Sequence, residues 1–322
     1  MKRRDILLPN PARALLLALF LALILMAPAT PRAVQAQSLD LTVRDYGLSI
    51  GDASYVNGVR LNFRDRNLQV VNGLNLTLWE PHEPVEGIVR GIAIGLPQTG
   101  ARRIHGVGLG LFGVSAHESA TGIIVGGLGT GVGQDLVGVA VGGLGVGSGR
   151  DVRGVAVGGL GVGAGGDLSG IAVGGLGVGG GGDVHGIMIG GLGAGAGGNL
   201  SGIAVGGLGV GAGGTIRGLA VSGAGVGAPT IRGLVLSAVA AGTTDIVGIA
   251  VAPGYFHVEE NGRMKGLSIS AFNRIRGTQQ GLTIGILNVA RHLNGVQVGL
   301  LNIAHNNPRG LRVLPFLNVH VD

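Results

Sequence analysis

The stretch Gly154 to Ser169 reads GVAVGGLGVGAGGDLS, and this 16-residue unit recurs six times in succession between Gly122 and Arg217. With the opening glycine as position 1, large apolar side chains return at positions 2, 4, 7, 9 and 15, and glycine, alanine or serine fills most others. Spacing of two within 2/4 and within 7/9 is the strand period, and the step of three from 4 to 7 falls on Gly-Gly, where a strand can bend. A helix with glycine at nearly every second position would lose about 1 kcal/mol per glycine relative to alanine. Collagen is excluded by the lack of a triplet period and by sparse proline.

Opening glycines continue beyond the clean block, from Gly58 through Gly73, Gly91 and Gly106 to Gly281, Gly295 and Gly310. The reading is an all-β parallel β-solenoid, or β-roll, of about 17 coils of 14–18 residues with two or three short strands per coil. Insertions gather after position 9, as in YFHVEENGRMK (255–265). Stacking places like residues on like. Two interior ladders are expected from the large aliphatics. One is Val141, Val157, Val173, Ile189 and Val205, with Val139, Val155, Ile171, Ile187 and Ile203 beside it; the other is Leu144, Leu160, Leu176, Leu192 and Leu208. Position 3 is then outward, and Ala140, Ala156, Ala172, Met188, Ala204 and Ala220 form a flat apolar strip, read either as small residues tolerated on a tight surface or as an interaction strip. Towards the carboxyl end the same position carries Ser268, Thr283, Gln297 and Arg312.

Four segments follow. Residues 1–36 read as a signal peptide, with Lys2, Arg3, Arg4 and Arg13 before the apolar run Ala14 to Ala27 and small residues at Val34-Gln35-Ala36. Residues 37–90 form an amino-terminal cap and the first degenerate coils, with Arg60, Asn62, Asn75 and Thr77 outward and Trp79 either packing the cap or binding. Residues 91–265 are the glycine-rich core, and 266–322 are carboxyl-terminal coils carrying asparagine after the corner. There Asn273, Asn288 and Asn302 are placed to bond along the rod as an amide ladder, with Asn318 one place out of register. The chain contains no cysteine, so neither disulfides nor an acylated cysteine holds it outside the cell. Without the leader, 18 basic residues face 16 acidic ones, so the net charge of +6 is no argument for nucleic acid.

Position 14 carries Asp135, Asp151, Asp167 and Asp183, then Asn199 and Thr215. The preceding GxGxD and GxGGD are similar to calcium-binding nonapeptide repeats, which makes these four aspartates candidate calcium ligands. Here, however, one carboxylate comes per 16 residues, and a turn aspartate bonding its own backbone is the competing reading. His292 and His305 occupy comparable units and are a candidate metal pair. A GxSxG elbow, HExxH and paired carboxylates at a cleft are absent from the sequence, and the many GxGxxG matches arise from the repeat.

GLTIGILNVA (281–290) and GVQVGLLNIA (295–304) resemble the GLxIGLxNxA units of bacterial surface-repeat proteins, an exported group. The central SGIAVGGLGVGAGG is similar to repeats in the β-roll heads of trimeric autotransporter adhesins. The resemblance implies a non-enzymatic surface or envelope scaffold of structural or adhesive role, without cofactor, at the cell surface, outer membrane or periplasm of a bacterium. Its partner would be another protein, an envelope surface, lipid or a second copy. An outer-membrane β-barrel or membrane-inserted β protein uses the same alternation, but crossing strands need about 9–11 residues. A calcium-stabilised repeat protein is the third reading.

Overall fold

In the computed structural model, which describes residues 38–82 and 86–321, each central coil contributes one long and one short strand. For the unit quoted above these are Val152–Gly158 and Gly161–Ala164. Each pairs in parallel with its counterpart one coil on, Val152↔Leu168 through Gly158↔Gly174 and Gly161↔Gly177 through Ala164↔Gly180. The fold is the expected parallel β-solenoid, and its parallel rungs are not the antiparallel ladder of an up-and-down barrel. The signal-peptide reading, residues 1–36, lies outside the described residues.

The coils number about 14 rather than about 17. The units opened by Gly58 and Gly73 pair only their first strand, Tyr55–Asn62 and Val70–Thr77. The unit read at Gly310 is no rung at all. Arg309–Leu311 is a turn of 3₁₀ helix, and Val313–His320 runs back antiparallel along the last coil. At the other end Leu39–Val43 and Tyr46–Ile50 form an antiparallel hairpin whose turn residues, Arg44 and Asp45, have φ of 51° and 65°. Both ends of the ladder are thus closed by a reversed strand, a common way of blunting a sheet edge.

Three corners shape each coil. The first is the opening glycine. Gly170 has φ +123°, and a Cβ there would lie 2.0 Å from the carbonyl oxygen of Gly154 in the preceding coil. Glycine stacks on glycine in this column from Gly47 to Gly295, all with positive φ. The second corner is the Gly-Gly-Leu bend at positions 5 to 7, and the third lies at positions 12 to 14.

Which side chains face inward is the opposite of the expectation. Position 3 is interior: Ala140, Ala156, Ala172, Ala204 and Ala220 are 0% exposed and Met188 is 1%. The interior is completed by position 9 (Val146, Val162, Val178), position 11 (Ala164, Ala196) and position 15 (Leu136, Val152, Leu168, Val184, Leu200). Apart from the corners at 7 and 13, odd positions face in and even positions face out, and 16 residues return each coil to the same parity. The space between facing strands is narrow, and alanine and glycine at 3 and 5 leave room only for valine and alanine at 9 and 11. Volume is balanced within coils and between them: Met188 shares its coil with Ala194 where Val146, Val162, Val178 and Val210 stand in others, and Ile124 reaches into the space that a Cβ on Gly108 of the preceding coil would take.

The same inversion moves the polar residues of the end coils inside. Arg60 is fully buried, donating to the Ala53 carbonyl at 2.8 Å and to Asn75 Oδ1 at 2.8 Å while pairing with Asp52 and Asp65. Asn62, Asn75 and Thr77 complete this network, and Thr77 Oγ1 donates to Asp65 Oδ2 at 2.7 Å. At the carboxyl end Ser268, Thr283 and Gln297 are buried, whereas Arg312 is exposed. The rod is therefore apolar inside at its centre and polar inside at both ends.

The amide ladder forms as expected. Asn273 Nδ2 donates to Asn288 Oδ1 and Asn288 Nδ2 to Asn302 Oδ1, both at 2.7 Å and all buried. Asn318 stands out of register because its strand is antiparallel, and it accepts from Asn307 Nδ2 at 2.8 Å.

Candidate functional site

The aliphatics displaced from the interior form the most distinctive surface of the chain. Positions 2 and 4 lie on the outside of the long strand, beyond the glycine corner that turns it, and position 7 stands on the next corner. None of Val139, Val155, Ile171, Ile187 and Ile203 is buried, nor are Val141, Val157, Val173, Ile189 and Val205. Leu144, Leu160, Leu176 and Leu192 are 50–51% exposed and Leu208 is 59%. These residues, expected as core ladders, are instead exterior ladders, because the interior where positions 3 and 5 face 9 and 11 is filled mostly by alanine, glycine and valine, and its leucines stand at position 15. Conversely the six residues of the expected interaction strip are sealed inside and can meet no partner.

The exterior face extends past the clean repeats. Ile92, Leu109 and Ile123 continue it towards the amino end, and Ile249, Ile269, Ile284 and Val298 towards the carboxyl end, all at least one-third exposed. Positions 2 and 4 hold no charged residue from Val59 and Leu61 to Val296 and Val298. Charge sits instead around the third corner, at positions 13, 14 and 16. At the amino end the second corner becomes aromatic: Trp79 and Phe63 stack with ring centroids 6.4 Å apart and planes 5° from parallel, both half-exposed or more. Trp79 thus packs on its neighbour at the surface instead of closing an interior.

A bare strip does exist, on the third side. Position 10, the outward place of the short strand, is glycine at Gly131, Gly147 and Gly163, with no atom within 4 Å of where a Cβ would stand. Further on this column carries His257 and Arg274. Tyr255 stacks on His257 at 5.8 Å.

The position-14 series is organised along the rod. Asp151 Oδ1 accepts from the backbone N–H of Asp167 at 3.0 Å, Asp167 from Asp183 at 2.7 Å, Asp183 from Asn199 at 2.7 Å and Asn199 from Thr215 at 2.9 Å. Each side chain bonds the following coil, not its own turn. The Asn199 backbone hydrogen bond holds the Asp183 carboxyl below its ordinary value, and the Arg150 guanidinium does the same for Asp135. Arg150 Nε donates to Asp135 Oδ1 at 2.7 Å, and Arg153 pairs with Asp151 at 2.9 Å. Among the described residues no three His, Asp or Glu side chains are grouped as a metal site. His305 lines a surface cavity of about 570 Å³ with Glu260, Arg274, Arg276 and Arg291, and His292 is not among the residues lining it.

The fold and this surface define a parallel β-solenoid repeat protein with one aliphatic side, one bare glycine side and a charged corner. Comparison with protein-family models, with characterised proteins and with solved structures finds no match.

Proposed function

We propose that the protein is an exported, non-enzymatic envelope or surface scaffold that assembles through its aliphatic side. The observation that carries this reading is the run of Val, Ile and Leu at positions 2, 4 and 7, partly or half exposed coil after coil and free of charge at 2 and 4. Monomeric soluble proteins seldom leave an apolar patch above about 300–600 Å² open, and such patches mark interaction sites. Export is supported by the basic and apolar leader in residues 1–36. A structural role is further supported by the position-14 bonds and the asparagine ladder, which join coil to coil.

The test is fractionation of cells making the full chain. The expected result is a processed protein starting near Gln37, outside the cytoplasm, that sediments with the envelope and resists a carbonate wash. An unprocessed chain in the cytoplasmic fraction would overturn the reading.

A further inference from the structure

We infer that the aliphatic side is covered by a second copy of the same chain, the two solenoids packing face to face. This rests on the assembly reading above and names its partner.

The first argument is size. Coils about 4.8 Å apart, some 14 of them, and a width of about 16 Å from position 2 to position 7 give a footprint on the order of 1,000 Å² per copy. Two copies would bury about 2,000 Å² together, the upper end of standard interfaces and the beginning of the obligate homodimer range. The second argument is pattern. Register is held coil to coil, Val155↔Ile171↔Ile187↔Ile203 and Val157↔Val173↔Ile189↔Val205, so the face is a regular lattice of ridges with the strand spacing. A surface carrying the same lattice can mesh with it along its whole length, and a two-fold axis supplies that surface from an identical chain. Apolar sheet faces meet in this way about 10 Å apart. The third is charge. With no charged residue at positions 2 and 4, closing the interface strands no ion without a partner. A fluid lipid surface has no ridges for this lattice to mesh with, whereas an identical chain has them at the same spacing. The flank at position 16 does carry Arg90, Arg153, Arg217, Arg232 and Lys265, cations that a membrane would also use, and the vesicle measurement below separates the two occupants.

The experiment is sedimentation equilibrium and light scattering on the processed chain, with the variant Leu176→Asp/Leu192→Asp and, as control on the bare side, Gly147→Asp/Gly163→Asp. The expected result is twice the chain mass for wild type and control and the single mass for the leucine variant, with the folded circular dichroism spectrum of all three alike. Should the acidic variant fail to fold, Leu176→Gln/Leu192→Gln must weaken dimerisation at least tenfold. A monomeric wild type overturns the inference. If it then floats with phosphatidylethanolamine–phosphatidylglycerol vesicles, lipid is the occupant; if it does not, a different protein is. A dimer that survives both leucine variants overturns the face. Cytoplasmic location would defeat the export reading while leaving the mass unchanged, so the two fail separately.

Discussion

Replacing Gly170 with alanine probes the corner on which the stack depends. Its φ of +123° is a region L side chains rarely adopt, and a residue forced there costs about 1–3 kcal/mol. The added Cβ would stand 2.0 Å from the carbonyl oxygen of Gly154, with further backbone atoms of that residue at 2.9 and 3.1 Å. Ordinary contact needs more than an ångström of extra separation, and backbone cannot rotate away as a side chain can. The two coils must part, weakening ladder hydrogen bonds worth about 1 kcal/mol each. The expected loss is above about 4 kcal/mol, a size reserved for such named defects. Urea unfolding followed by far-ultraviolet circular dichroism should show the midpoint falling by more than about 1 M, or the transition dividing at the weakened junction, because coils contact only their neighbours. Gly163→Ala is the matched control. With no atom within 4 Å, it should lie within about 1 kcal/mol of wild type, on the stabilising side if anything. Equal midpoints for the two variants would refute the assignment of the glycine column to the coil-to-coil contact.

Acid should act through the position-14 series. Asp135 and Asp183 have folded values below the ordinary carboxylate value, so their contribution is present above the unfolded value near 3.9 and is lost as the pH falls through the folded one. Melting temperature should therefore hold from pH 7 to 5 and drop below about pH 4. Asp183→Asn should keep the bond to the next coil, as Asn199 already does, and shed part of the acid sensitivity, whereas Asp183→Ala should lose both. At the amino end, Arg60→Met strands Asp65 inside the first coils and should cost about 3–5 kcal/mol, read as loss of the Trp79 fluorescence transition at lower urea. Replacing Arg60 and Asp65 together by Met and Leu should recover part of that loss.

The repeat, the parallel stack, the Gly-Gly bend at positions 5 and 6 and the asparagine ladder were all legible as spacing, because spacing is what a stack of equal coils imposes on its sequence; the corner at the opening glycine was not, since its positive φ leaves no trace in spacing. Which side of the strand faces in was not. Alternation supplies two phases, and choosing the one with the larger side chains, Val155 and Leu160 over Ala156, inverts the molecule when the interior is as narrow as this. The sequence did hold a clue in Met188 and Ala194, whose volumes change in opposite directions within one coil, as residues sharing an interior do. Position 15 held another, since Leu168 and Leu200 lie an even number of places from the position-3 alanines and so on the same side of the pleat. Arg60 was misplaced by the same inversion, and the burial of an arginine is legible only once Asp52, Asp65 and Asn75, up to 15 residues away, are known to converge on it. The aspartates at position 14 likewise looked like local turn residues because their true partners lie one coil on.

The absence of native cysteine allows a direct reading of inside against outside. Single variants Ala172→Cys, Leu176→Cys and Gly163→Cys, diluted until their measured mass is that of one chain, should be exposed to a maleimide reagent under native conditions. The thiols at 176 and 163 should react at the rate of a free cysteine, and that at 172 only on unfolding in urea. Rapid modification at 172 together with protection at 176 would contradict the account.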